Sequence, residues 1–275
     1  MSAQPEIPLR PMTLGELLDA AMALLRRRAL PLLVAALLLA GLEQLALAPL
    51  RSWGHMTPSW YGPTEADLFP WWITVAIGFG FELVVLTLLG ALAGAAAGPA
   101  LLGVSVRHRD LLARSRPVAA VGLALLLGLF GAVAALLLFV PWLVFFGFFA
   151  MTGAALSNDR TRRPLRRSAA LAGRGVARGL WILVVAYLTW CAVRVALGAG
   201  WVELVSRATG YEPDGQTWLV PLARTLANAV AYAALACLTA VLVLEVRVRT
   251  EGLDILINRT RSRGGDPAAA LVHTP

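Results

Sequence analysis

The chain has 275 residues, 59% of them hydrophobic, against about 45–50% in a soluble domain. Several uninterrupted apolar runs exceed the ~18 residues needed to cross a bilayer, which excludes a soluble globular domain. The net charge is +8 and all 24 basic residues are arginine, a balance that reads as membrane orientation rather than nucleic-acid binding. The lack of lysine beside abundant Ala, Leu and Gly points to a GC-rich bacterial genome. Cys191 and Cys237 lie inside apolar runs and form no CxxC or metal-ligand spacing. His55, His108 and His273 are scattered, so no metal and no cofactor is expected.

Residues 1–12 are polar and proline-punctuated. Thr13-Leu14-Gly15-Glu16 reads as a capping box, and Leu14, Leu17, Leu18, Ala21, Leu24 and Leu25 recur at helical spacing. This predicts an amphipathic helix suited to a membrane interface, ended by Arg26, Arg27 and Arg28. A first span follows at 29–50. The loop 51–70 leads to an apolar stretch too long for one straight span, so the second span is placed at 71–94, with a helical extension kinked at Gly98-Pro99. Gly90, Gly94 and Gly98 form a GxxxGxxxG stripe, expected to be a helix-packing seam within the chain.

The basic segment 107–116 comes next. Residues 118–156 are then apolar without a break, about 58 Å of helix, so they are divided at Pro141-Trp142 into spans 118–139 and 142–157. The stretch 158–179 carries seven arginines, and Pro164 suits the first turn of a helix there. The fifth span is placed at 180–200, a mixed loop at 201–218, the sixth span at 219–246, and a flexible tail at 258–275. The whole of 1–257 reads as a single membrane domain.

Six spans put both termini on one side. That side collects 20 arginines and the other two, Arg51 and Arg207, so both termini are expected in the cytoplasm of a bacterial plasma membrane. Trp53, Trp60, Trp71, Trp72, Trp142, Trp201 and Trp218 fall at or beyond the outer level, as an aromatic belt would. A basic amphipathic segment precedes two spans three times, starting near 13, 105 and 160. The expected fold is therefore an all-α integral membrane protein of six transmembrane helices, arranged as three hairpins, each led by a cytoplasmic interfacial helix.

Charge inside a span is costly, ~2.5–3.5 kcal/mol per residue or more. Glu43, Glu82, Arg194 and Arg224 lie at overlapping depths, with Asn228 one turn from Arg224. They read either as paired struts between helices or as the lining of an outward-facing polar cavity, with Tyr187 and Tyr232 available to join. Close pairs without a cavity favour a scaffold; a cavity open to one side favours transport. Arg26, Arg27, Arg28, Arg166, Arg167, Arg174, Arg178, Arg247 and Arg249 are expected to contact anionic lipid headgroups or a partner protein, with no role in nucleic-acid binding. No GxSxG, HExxH, Walker or GxGxxG motif occurs, so no catalytic residue is assigned.

Three segments resemble a known family. They are PLRPMTLGELLDAAMALLRRR at 8–28, Leu165-Arg166-Arg167-Ser168 followed by Leu171 and Arg178, and EVRVRTEGLD at 245–254. All three resemble bacterial proteins with the glycerophosphoryl diester phosphodiesterase membrane domain, over roughly residues 8–257. Ser157 stands where members often carry an acid, with Asp159 nearby, and Glu245 stands where Asp is commoner. The resemblance implies a stand-alone membrane domain without the catalytic barrel or its metal-binding clusters. The expected function is that of a non-enzymatic multi-pass scaffold or accessory subunit in envelope or lipid processes, the alternative being a small transporter or lipid-handling protein built on the Glu/Arg cluster.

Overall fold

The computed structural model describes residues 7–54, 56, 68–104, 106–210 and 218–272, and the regular structure among them is helical throughout. In chain order the helices are α1 (Leu14–Arg27), α2 (Ala29–Trp53), α3 (Leu68–Leu101), α4 (His108–Arg114), α5 (Pro117–Leu137), α6 (Phe139–Phe149), α7 (Thr152–Asn158), α8 (Pro164–Thr209), α9 (Leu219–Glu251) and α10 (Leu253–Ser262). A 3₁₀ turn at Pro267–Leu271 follows. Among the described residues six stretches are long and apolar enough to cross a membrane: Ala29–Trp53, Leu68–Leu101, Pro117–Leu137, Phe139–Asn158, Ala177–Thr209 and Leu219–Glu251.

α1 begins where the capping box requires. The Thr13 hydroxyl accepts from the Glu16 amide, and the Glu16 carboxylate accepts from the Thr13 amide at 2.8 Å. Hydrogen bonds from the Arg10 guanidinium and from Thr13 hold the Glu16 carboxyl down at about 2. Leu17, Ala20, Ala21, Leu24 and Leu25 are buried, whereas Leu14, Leu18 and Met22 face outward. The buried stripe packs on α9, the central helix, which α2, α3 and α8 also surround.

The long apolar stretch breaks at Leu138, whose backbone is fully extended, and not at Pro141-Trp142. Pro141 lies in the first turn of α6, where its missing N–H has no intrahelical acceptor to lose. Trp142 is consequently not in an aromatic belt. It is fully buried against Phe79, Phe139, Phe146 and Tyr187, and its Nε1 donates to the Phe79 carbonyl at 3.3 Å. Trp53, Trp201 and Trp218 do face outward, and Trp60 lies outside the described residues.

Other boundaries also shift. α3 begins at Leu68 and is helical to Leu101, two residues past Pro99, so the helix continues beyond residue 94 as the expected extension does. The helix of the fifth expected span does not stop at residue 200, and the stretch read as a loop from 201 begins helical. α8 runs on to Thr209, with Arg207 paired to Glu203 one turn earlier at 2.6 Å, and ends at Gly210 in the left-handed conformation. Within α8, Ala177 has φ +56, a conformation that interrupts α geometry where the basic segment meets the apolar span. The tail carries the 3₁₀ turn. Asp266 caps the 3₁₀ turn, and Leu271 is buried with its carbonyl accepting from Arg247 at 2.8 Å.

Gly90, Gly94 and Gly98 line the contact of α3 with α7 and the tail. A Cβ at Gly94 would strike Ser157 Oγ and Ala154; one at Gly98 would press on Asn158 and Leu271. From the other side, Gly153 lies so close to the Thr87 carbonyl that no side chain fits. Small residues let these backbones approach, as membrane helix pairs require.

Candidate functional site

The buried stripe of α2 repeats every three to four residues, Leu32, Ala36, Ala40, Glu43, Gln44 and Leu47, and so carries Glu43 into the bundle. α3 supplies Glu82, and α8 supplies Tyr187 and Arg194 two turns apart on one face. α9 supplies Tyr232. These five side chains meet. Arg194 pairs with Glu82 at 2.5 Å and donates to the Tyr187 hydroxyl at 2.8 Å and the Tyr232 hydroxyl at 3.3 Å. Tyr187 donates to Glu82 at 2.9 Å, and Tyr232 donates to Glu43 at 2.9 Å. The Arg194 guanidinium also lies 5.4 Å and 5.6 Å from the two tyrosine ring centroids, within cation–π range. Both tyrosines therefore belong to the cluster.

A half-open cavity of about 320 Å³ adjoins the cluster. Its walls come from the late part of α2 (Leu47, Arg51), the early part of α3 (Thr74, Val75, Gly78, Phe79), the late part of α8 (Val195, Gly198, Val202) and the early part of α9 (Val220, Arg224, Asn228). Glu43, Glu82, Arg194 and Tyr232 line it as well. Arg224 and Asn228 thus reach the cavity wall, and no direct bond between either and Glu43 or Glu82 is seen. Sequence reasoning missed Gln44, Arg51 and Thr74. The signal for Gln44 was its place on the buried stripe beside Glu43; Arg51 donates to it at 2.8 Å.

A second cluster occupies the opposite end of the bundle, where α9 finishes and α8 begins. Asp159 is fully buried and accepts from Arg167 at 2.5 Å and Arg247 at 2.9 Å. Glu251 accepts from Arg167 at 2.5 Å, from Arg247 at 3.2 Å and from Arg174. Glu245, also fully buried, pairs with Arg178 at 2.8 Å and Arg249 at 2.9 Å, and both arginines donate to the Met12 carbonyl. Burial alone would lower the Arg167 pKa, but the bonds to Glu251 and Asp159 outweigh it and raise it above the ordinary value.

These pairs correct the expectation of lipid or partner contact for Arg167 and Arg247, which are 5% and 3% exposed. Arg174, Arg178 and Arg249 are engaged internally and only partly open. Arg28 is half-buried and donates to the Val106 carbonyl at 2.9 Å. Arg26, Arg27 and Arg166 remain at the surface. Ser168 of the central motif donates to the Phe148 carbonyl at 2.7 Å, tying α8 to α6. Among the described residues no three His, Cys, Asp or Glu side chains gather as metal ligands would.

Compared with models of protein families, with curated proteins and with solved structures, the chain matches none.

Proposed function

We propose that this chain is a six-span protein of a bacterial plasma membrane, both termini cytoplasmic, that handles a small polar-headed amphiphile or solute in its outer cavity. The partition of 20 arginines against two supports the orientation. α1, α4 and the first turns of α8 then serve as cytoplasmic interfacial helices leading three hairpins, with Leu14, Leu18 and Met22 reaching into the headgroup layer. Arg26, Arg27 and Arg166 supply contacts to anionic headgroups or a partner protein. The resemblance to the glycerophosphoryl diester phosphodiesterase membrane domain supports a membrane-domain role without phosphodiester chemistry.

The observation that carries the reading is the cavity beside the Glu82–Arg194 pair. A strut needs its charges sealed; here Glu43, Glu82 and Arg194 line a space of ligand size, at the small end of the ~300–1,000 Å³ typical of ligand pockets. A scaffold or accessory role is the second reading, favoured by the dense internal pairing around Asp159 and Glu251. Gly198→Phe separates the two. Gly198 lines the cavity, and a Cβ there meets only Arg224 Cγ at 3.8 Å, so the ring fills the space without a backbone clash. Mass spectrometry of the purified full chain should find a bound small amphiphile or solute in the wild type and not in a folded Gly198→Phe. Equal content in both, or none in either, contradicts the proposal.

A further inference from the structure

Glu82 and Glu43 both line the cavity, but they are not equivalent. Glu82 faces the Arg194 guanidinium and the Tyr187 hydroxyl. Glu43, on α2, is 6% exposed. Its Oε2 accepts from Tyr232, and no cation among the described residues lies within 4 Å of it. Its Oε1 takes no hydrogen bond from them, and Glu43 lines the cavity. The charged and titratable groups around it and along the cavity wall include Glu82 on α3, Arg194 on α8, Tyr232 and Arg224 on α9 and Arg51 on its own helix. Arg194 is committed to Glu82 with the Tyr232 hydroxyl between it and Glu43, and Arg51 donates to Gln44.

A carboxylate without a cation at this depth is costly unless something neutralises it. The open oxygen is an acceptor, so the group that completes it should carry both a positive charge and an N–H donor. We infer that Glu43 is the recognition point for a primary ammonium group on the cavity's ligand, with Tyr232 holding the carboxylate in place. This rests on the cavity being a ligand site and specifies what it selects. A trimethylammonium head has the same charge and no N–H to give, so it should be rejected. The cavity admits a headgroup and not a whole diacyl lipid. An ammonium headgroup would therefore enter from the outer leaflet with its acyl chains left outside; a soluble amine would enter from water.

The test uses the full chain in nanodiscs containing equal parts of phosphatidylethanolamine, phosphatidylcholine and phosphatidylglycerol, with bound lipid read by native mass spectrometry. Wild type should retain phosphatidylethanolamine at least tenfold over each of the others. Glu43→Gln should bring that ratio to about one, and Glu43→Asp should keep a preference. Soluble phosphoethanolamine is then added. Displacement of the lipid supports an aqueous source for the same head; a preference that survives its addition supports a lipid source. Equal retention of the ethanolamine and choline lipids by wild type, which needs no variant to fold, overturns the inference, as does a preference that persists in Glu43→Gln. Were some other amphiphile lost in Gly198→Phe while no ethanolamine preference appeared, the cavity would stand as a ligand site and only the ammonium assignment would fall.

Discussion

Glu82→Gln removes the carboxylate and leaves Arg194 buried among Tyr187 and Tyr232. The arginine is 12% exposed, so water replaces little of what is lost. Opposite charges ~4 Å apart at an effective dielectric of about 20 attract by about 4 kcal/mol, and breaking a buried pair by deleting one partner costs about 3–5 kcal/mol. The remaining bonds from Arg194 to the two tyrosine hydroxyls do not neutralise it. By the scaling for soluble domains of similar size, the loss corresponds to roughly 6–20 °C in midpoint. Detergent-solubilised wild type and Glu82→Gln, heated and assayed by fluorescence-detected size exclusion, give the comparison. The double exchange Glu82→Arg with Arg194→Glu restores the pair and should recover at least half of the loss. A single variant melting within about 2 °C of wild type, or an exchange no better than either single change, would mean that the Glu82–Arg194 pair does not hold these helices together.

Gly153→Val places a side chain into the Thr87 carbonyl and within 2.8 Å of the Ala91 amide. Backbone cannot yield as a side chain does, so the cost should exceed the about 1–3 kcal/mol usual for overpacking, and monodisperse expression should be lost. Asp159→Asn leaves Arg167 and Arg247 with Glu251 alone, which Arg174 also shares, so its melting midpoint should fall, but by less than that of Glu82→Gln. The Glu16 carboxyl is held at about 2, below its ordinary 4.5. Its stabilisation of α1 is therefore present above about 4.5 and is lost as pH falls through about 2. Amide protection at the start of α1, taken relative to intrinsic exchange at each pH, should fall across that window in wild type and stay nearly flat in Glu16→Gln.

Much of the architecture was legible because a bilayer makes strict demands. Apolar runs longer than the hydrocarbon core had to be divided, and the capping box Thr13 to Glu16 announced α1 residue by residue. The chain break at Leu138 carried no such mark. Pro141 drew attention instead, but a proline three residues into a helix is at home there and ends nothing. The extension of α8 to Thr209 was hidden by polar residues at 203 and 207 that turn out to pair along the helix. Gly210 was the stop signal that could have been read.

The two charge clusters show where reading along a chain runs out. Glu82 and Arg194 could be matched because charges within spans are few and costly. Asp159 and Arg247 are 88 residues apart, and the chain offers many arginines near that surface for each acid. Nothing in local spacing says which of them folds inward, so the arginine run at 160–178 reads along the chain as a headgroup-facing surface. Gln44, Arg51 and Thr74 went unnoticed at the cavity because each is unremarkable until four helix ends are brought together.

The most direct test of an outward cavity uses a residue already present. Cys191 lines the cavity and is partly exposed, whereas Cys237 is fully buried in α9. A cationic, membrane-impermeant methanethiosulfonate added to the outer face of intact spheroplasts should modify Cys191 and leave Cys237 untouched, and Gly198→Phe should block the reaction. Labelling of Cys191 only from the cytoplasmic face, or only by a reagent that dissolves in the bilayer, would contradict the account.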